Sequence, residues 1–189
     1  MAGQGHAMNA TWRLVLTALA MFIALSMLIW EHFNGGVKTH HILQSAAMPG
    51  ISNWWNLLLL PTLAWLLSGR IQNRITLHRA TQTSDTQTFP IHIVIGFFCA
   101  LLLGSLLSLF FALKNEDITV ALFFGMLLTT LVLPVYRAEC VLGFVLGMTF
   151  IFGAFIPIVI GSIIAAIAAM LQCLIYPLVV RAWRRMSMR

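Results

Sequence analysis

The chain has 189 residues, of which 60% are hydrophobic and only 8% are charged, and its formal net charge is +6. A soluble domain carries roughly a quarter charged residues, so this composition excludes a water-soluble globular protein. The basic residues flank apolar stretches, where they orient a membrane protein and contact anionic lipid headgroups. The lipid bilayer is therefore the expected partner, and nucleic acid is not.

Long stretches without Asp, Glu, Lys or Arg follow one another along the chain. A bilayer core about 30 Å thick needs about 20 apolar residues in helical form. The last stretch, 140–180, would be about 60 Å long as one helix, so we divide it at a hairpin near Pro157 and Gly161. The predicted fold is an all-α, polytopic transmembrane bundle in one integral membrane domain over 1–189. Its six spans are expected at about 12–30, 51–68, 91–113, 118–136, 140–157 and 160–180.

The arginines orient this bundle through the positive-inside rule. With six spans, Arg13, Arg137, the arginines of loop 69–90 and those of the tail after residue 180 all fall on one side. The opposite side receives only Lys38 and Lys114. Both termini are therefore predicted in the cytoplasm and loop 31–50 outside, in the inner (plasma) membrane of a bacterium.

Stripes of small residues predict where helices pack closely, because lipid tails are as apolar as the side chains. Gly143 and Gly147 lie one turn apart in span 5, and Gly161 and Ala165 do so in span 6. We expect spans 5 and 6 to pack through these residues as an antiparallel pair. A homo-oligomer through the same stripe is the alternative.

The external loop carries the best candidate for a binding site. Three histidines follow the first span, and Gly35-Gly36 between them permits a reversal that would bring His32 towards His40 and His41. Neutral imidazole is the commonest nitrogen ligand of Zn, Cu, Ni and non-haem Fe. The sequence therefore predicts His32, His40 and His41 as ligands of a divalent transition metal.

The loop after span 1 and the turn between spans 3 and 4 both place carboxylates on the predicted external side of the membrane. These carboxylates complete the candidate ligand set, which comprises Glu31, His32, His40, His41, Glu116 and Asp117. The alternative is an interfacial loop whose histidines contact headgroups and water, since the spacing is not a known metal fingerprint. Residues 42–56 are expected to form a short interfacial or re-entrant segment, with Trp54 and Trp55 in the interfacial belt.

No catalytic residue is identified from the sequence. HExxH, GxSxG and glycine-rich phosphate loops are absent, and the spans carry no ionisable residue at mid-depth, which argues against a proton-coupled pump. The loop between Arg70 and Arg79 is expected to contact anionic lipid, with a cytoplasmic protein partner as the alternative.

Three functions fit these features. The first is binding or transport of a small molecule or metal at the external face; in size and topology alone the chain resembles the substrate-capturing subunits of energy-coupling-factor transporters. The second is a metal-dependent enzyme acting on a lipid or quinone-like substrate. The third is a non-catalytic subunit or assembly factor of a membrane complex.

Overall fold

The computed structural model describes residues 2–41, 50–81 and 91–177, and within them all side chains except those of residues 2–9, 40–41 and 78–81. These residues form six α-helices and one two-stranded sheet. The all-α prediction is confirmed, and the small sheet is an addition to it. Parts of the predicted external loop (42–49), cytoplasmic loop (82–90) and basic tail (178–189) lie outside the described residues.

The helices are α1 (Ala2–Phe33), α2 (Asn56–Thr81), α3 (Ile91–Ala112), α4 (Glu116–Val132), α5 (Ala138–Phe152) and α6 (Phe155–Met170). A π-helix over Leu171–Ile175 continues α6, and a 3-10 turn over Asn53–Trp55 precedes α2. Strands β1 (Thr39–His41) and β2 (Gly50–Ser52) pair antiparallel between α1 and α2. Three segments are long and apolar enough to cross a membrane, which agrees with predicted spans 1, 3 and 6: Ala10–Phe33, Ile91–Ala112 and Phe155–Ile175.

Helix α2 differs most from its predicted span. Residues 51–55 belong to β2 and the 3-10 turn, and the helix continues beyond Ser68 to Thr81. Ile71 and Ile75 lie one turn apart and pack with Ile93 of α3 in a buried cluster. One apolar face is sufficient to hold a helix whose other face is polar. Residues 69–81 of the predicted cytoplasmic loop are therefore helical.

The turn between α5 and α6 lies earlier than predicted. Gly153 ends α5 with φ at 68°, a left-handed conformation that favours glycine. Pro157 lies in the first turn of α6, where a helix tolerates the missing N–H. Gly161 lies inside α6, with the Phe144 ring against it. The proline that suggested a hairpin is thus part of a helix start.

Helices α1 and α2 are antiparallel. In the first half of α1, Nη2 of Arg13 donates a hydrogen bond to the backbone carbonyl of Trp65 at 3.1 Å. At the other end of α1, Glu31 contacts Asn53, which precedes α2. We call the end of the bundle with Arg13 the arginine end, and the end with Glu31 and the sheet the sheet end.

Helix α5 lies at the centre of the bundle. Residues 142–149 are all buried except the half-buried Leu146. A Cβ at Gly143 would meet the carbonyl oxygen of Phe97, and one at Gly147 would meet that of Leu101. These contacts advance together along α3 and α5, so the two helices are parallel. The small residues of α5 therefore pack on α3, and the expectation that they pack on α6 is wrong.

Two apolar clusters flank α5. One joins it to α1 and α2 through Ala20, Ala24, Leu60, Ala64, Leu67, Leu142, Val145 and Ala154. The other joins it to α3, α4 and α6 through Leu107, Met126, Phe144, Met148 and Ile164. The alanines of the first cluster allow α1 to lie close to α2.

The ends of α4 and α6 are joined by Gln172. Its Nε2 donates to the carbonyl oxygen of Thr130 at 2.9 Å and also to that of Leu133. The last carbonyls of a helix have no partner within the helix, so this side chain satisfies two of them. Gln172 lies in the π-helix, and the contact places the ends of α4 and α6 together. The six helices consequently alternate in direction.

Candidate functional site

The carboxylate of Glu31 organises the sheet end. Glu31 lies in the last turn of α1, and only 7% of its surface is exposed. Its Oε1 accepts a hydrogen bond from Nδ2 of Asn53 at 2.6 Å, and its Oε2 accepts one from the backbone N–H of Lys38 at 3.2 Å. Since hydrogen bonds to a charged group are strong, this carboxylate joins α1 to both flanks of the sheet.

The predicted chain reversal at Gly35-Gly36 is present. The two glycines have φ of 105° and 96°, which side chains rarely adopt. The chain then enters β1, whose register pairs His40 with Ile51 and His41 with Gly50. Pairing therefore fixes the backbone positions of both histidines in the strand that follows Lys38, the residue whose N–H donates a hydrogen bond to Glu31.

The predicted histidine ligands are described to different extents. His32 is exposed and its ring meets that of Phe33 edge-on, with the centroids 5.6 Å apart. The side chains of His40 and His41 lie outside the described part of the structure. Among the side chains that are described, no group of three His, Cys, Asp or Glu residues is arranged to hold a metal. Convergence of the three imidazoles stays a prediction.

Glu116 and Asp117 form the exposed first turn of α4. Asn115 caps this helix, with its Oδ1 accepting a hydrogen bond from the backbone N–H of Ile118 at 3.2 Å. Carboxylates at a helix N-terminus are favoured by the helix dipole, so both residues stabilise the start of α4.

A cleft of about 600 Å³ runs along α4 on the side that faces α3. Its lining is almost entirely apolar and consists of Leu103, Asp117, Ile118, Ala121, Leu122, Gly125, Met126 and Thr129. A Cβ added at Gly125 would touch nothing within 4 Å. Thr129 lies about 18 Å along the helix from Asp117, at 1.5 Å per residue. The cleft is thus an elongated apolar groove with a carboxylate at one end.

Two asparagines at the start of α2 belong to the sheet-end site and are absent from the predicted set. Asn53 holds Glu31, as described above. Asn56 is only 2% exposed, and its Oδ1 accepts a hydrogen bond from the N–H of Ala154 at 2.8 Å. Its buried Nδ2 has no partner among the atoms that the structure describes. Polar side chains just before an apolar run are typical of helix starts, and Asn53 and Asn56 stand in this position in the sequence.

Trp54 and Trp55 occupy the 3-10 turn between these asparagines. Both side chains are more than half exposed, at 59% and 55%. Two exposed indoles at the end of an apolar helix have the placement expected of interfacial residues.

The arginine end carries a second polar cluster. Nη1 of Arg74 lies 3.0 Å from Oε1 of Glu139, joining α2 to α5, and the Glu139 side chain is only 2% exposed. The Arg13 guanidinium lies over the Trp65 ring, 4.0 Å from its centroid. Both arginines are flanking charges in the positive-inside argument, but the sequence does not predict their partners.

Comparisons with known protein families, with curated proteins and with solved structures found no match to this chain.

Proposed function

We propose that the chain crosses the membrane six times with both termini in the cytoplasm, and that it binds a small molecule or a metal ion at its external face. The alternating directions of α1 to α6 support six crossings. The arginine end holds Arg13, Arg70, Arg74 and Arg137, and the opposite end holds Lys38 and Lys114, an asymmetry that favours a cytoplasmic arginine end. A bacterial inner membrane is the expected location.

The observation that carries the binding proposal is the burial of Glu31 at the end of the sheet where Lys38 precedes β1 and Asn53 follows β2. A buried carboxylate is costly unless it is hydrogen-bonded, and this one holds both flanks of the sheet. It therefore acts as a positioning residue for the strand that carries His40 and His41. A rigid support of this kind is what a binding site requires.

A divalent transition metal is the ligand to test first, with His40 and His41 as its ligands and His32, Glu116 and Asp117 as further candidates. Imidazole nitrogens suit Zn, Cu and Ni. Because only a neutral imidazole binds a metal, affinity should fall in acid.

The test measures Zn²⁺, Cu²⁺ and Ni²⁺ binding to purified protein by titration calorimetry, together with elemental analysis of the protein as isolated. His40→Ala and His41→Ala should each weaken metal binding by about 10-fold to 100-fold. His78→Ala is the matched control, because it removes an imidazole from the segment predicted on the other side of the membrane. Wild-type binding in both strand variants would overturn the metal proposal.

A second candidate function is binding of an amphiphile in the cleft along α4. The observation that favours it is the cleft itself, which has an apolar wall and a carboxylate only at the Asp117 end. The groove is open along its length, so an occupant would lie against α4 without being enclosed. Charge complementarity indicates an apolar tail along α4 and a cationic or hydrogen-bond-donating head at Asp117. This candidate corresponds to the lipid or quinone-like substrate of the predicted enzyme alternative.

Filling the cleft tests the second candidate. Gly125→Phe should abolish binding of a long-chain alkyl amine measured by fluorescence displacement, because the ring would occupy the open space beside α4. Phe124→Leu, on the exposed surface of the same helix, is the control. Equal binding to both variants would contradict an amphiphile site here.

A further inference from the structure

We propose that Arg13 and Arg70 form a binding site for the phosphate group of an anionic phospholipid at the arginine end, between α1 and α2. This site is separate from the binding site proposed at the external face. It rests on the proposed topology, which places the arginine end among the lipid headgroups. Inorganic phosphate shares the same chemistry, and the experiment below separates the two sources.

The guanidinium of Arg13 is held in a fixed position. It lies over the Trp65 ring at 4.0 Å, and Nη2 donates to the Trp65 carbonyl at 3.1 Å. A Cβ at Gly69 would lie 2.9 Å from this Nη2, so the missing side chain makes room for the guanidinium. Stacking on an aromatic ring reduces the entropy that an arginine loses when it binds a phosphate.

Arg70 adds a second positive charge on the neighbouring residue of α2. It directly follows Gly69, whose α-carbon faces the Arg13 guanidinium, so one residue of backbone separates the two cationic positions. The Arg70 side chain is exposed. Arg74 lies one turn further along the same face of α2, which makes a short cationic row.

Among the described residues, Glu139 pairs with Arg74, and no carboxylate contacts Arg13. The only acidic residue of α1 is Glu31, which lies at the sheet end, and α2 has no acidic residue. Glu139 binds Arg74 through Nη1. Nε of Arg13 and Nη2 of Arg74 are buried and without an acceptor in the part of the chain that the structure describes. A buried donor without a partner is costly, so these groups favour an added acceptor.

A phosphate group supplies the missing acceptors. Its oxygens accept charge-assisted hydrogen bonds from guanidinium groups, often two at a time. Basic pockets between helices at the cytoplasmic side of a membrane protein are typical sites for anionic headgroups. The exposed Trp65 beside Arg13 is the residue type that lies at headgroup depth.

The experiment titrates the full-length protein in neutral detergent with phosphatidylglycerol, and in parallel with inorganic phosphate, by native mass spectrometry. Arg13→Gln and Arg70→Gln should each weaken phosphatidylglycerol binding by about 10-fold to 100-fold. Lys114→Gln removes the same charge at the other end of the bundle and should bind as the wild type does. Tighter binding of phosphatidylglycerol identifies the lipid as the ligand, whereas equal or tighter binding of inorganic phosphate replaces it with the free ion and overturns the lipid assignment.

Gly69→Ala provides a second variant that keeps every charge. Its Cβ should displace the Arg13 guanidinium and weaken binding, while the exposed Arg70 variant keeps the fold intact. Unchanged binding of both phosphate sources in Arg70→Gln and Gly69→Ala would overturn the proposal. Reporter fusions test the membrane orientation separately, so a failure of this site is distinguishable from a failure of the six-span topology.

Discussion

Two of the carboxylates in this chain, Glu31 and Glu139, are buried, and they lie at opposite ends of the bundle. Glu31 accepts hydrogen bonds from the Asn53 amide and from the backbone N–H of Lys38, and Glu139 forms an ion pair with Arg74. A buried charge without such partners would be strongly destabilising. At the scale of single residues, one buried carboxylate therefore contributes to the stability of each end.

Replacing Glu31 by Ala should destabilise the protein by about 1–3 kcal/mol, because the buried amide of Asn53 would lose its acceptor. The measurement is the free energy of unfolding in detergent, followed by circular dichroism. Glu116→Ala removes an exposed carboxylate and should change stability by less than about 0.5 kcal/mol. Equal stability of the two variants would show that Glu31 does not hold the sheet.

The two partners of the buried ion pair should respond unequally to removal. Arg74→Ala leaves the Glu139 carboxylate buried and unpaired, at a cost of about 3–5 kcal/mol. Glu139→Ala should cost less, because the side chain of Arg74 is 29% exposed and can turn its charge to water. A double-mutant cycle on unfolding free energies measures the coupling, and the double variant should lose less than the sum of the single losses. Additive losses would indicate that the pair is not coupled.

The contact between α3 and α5 depends on backbone approaching backbone. Gly147→Ala should destabilise the protein by about 1–3 kcal/mol, because its Cβ would meet the Leu101 carbonyl and lie 2.8 Å from the N–H of Ser105. Gly125→Ala is the matched control in α4. Its Cβ meets nothing, so it should stabilise the helix by about 0.5–1 kcal/mol.

Thermal unfolding in detergent checks this pair of variants. The expected order of melting temperatures is Gly125→Ala, then wild type, then Gly147→Ala. The reverse order would mean that the glycine contact between α3 and α5 does not form.

At the element scale, the sequence predicts the existence of helices better than their partners. Charge-free stretches locate α1, α3 and α6, because length and hydropathy alone are enough to identify these helices as candidate spans. Gly143 and Gly147 indicate that one face of α5 is closely packed, but a small-residue stripe does not specify which helix lies against it. The extension of α2 is missed because its polar face outweighs the Ile71 and Ile75 stripe in a hydropathy reading.

The candidate site is predicted in part for a similar reason. The reversal at Gly35-Gly36 follows from the conformational freedom of glycine, and positive φ at both confirms it. Strands of three residues leave no alternating pattern to detect, so β1 and β2 are missed. The partnership of Glu31 with Asn53 joins residues far apart in sequence, and single-sequence reasoning carries no signal for it.

At the scale of the whole molecule, reporter fusions test the proposed six crossings. Fusions after Arg189 and at Asp85 should both report a cytoplasmic location, and a fusion at Thr39 should report an external one. The reason is the arginine asymmetry between the two ends of the bundle. An external C-terminus would contradict the even number of crossings.

The parallel pairing of α3 with α5 also has a consequence for the order of events during synthesis. At about 5–20 residues per second, the ribosome needs about 2–8 s to extend the chain from the end of α3 to the end of α5. Throughout that interval the face of α3 that receives Gly143 and Gly147 has no partner, because α5 does not yet exist. Nascent chains that stop after α4 should therefore be the most susceptible to quality-control proteases. Completion of α5 is the step that should make the bundle resistant to proteolysis.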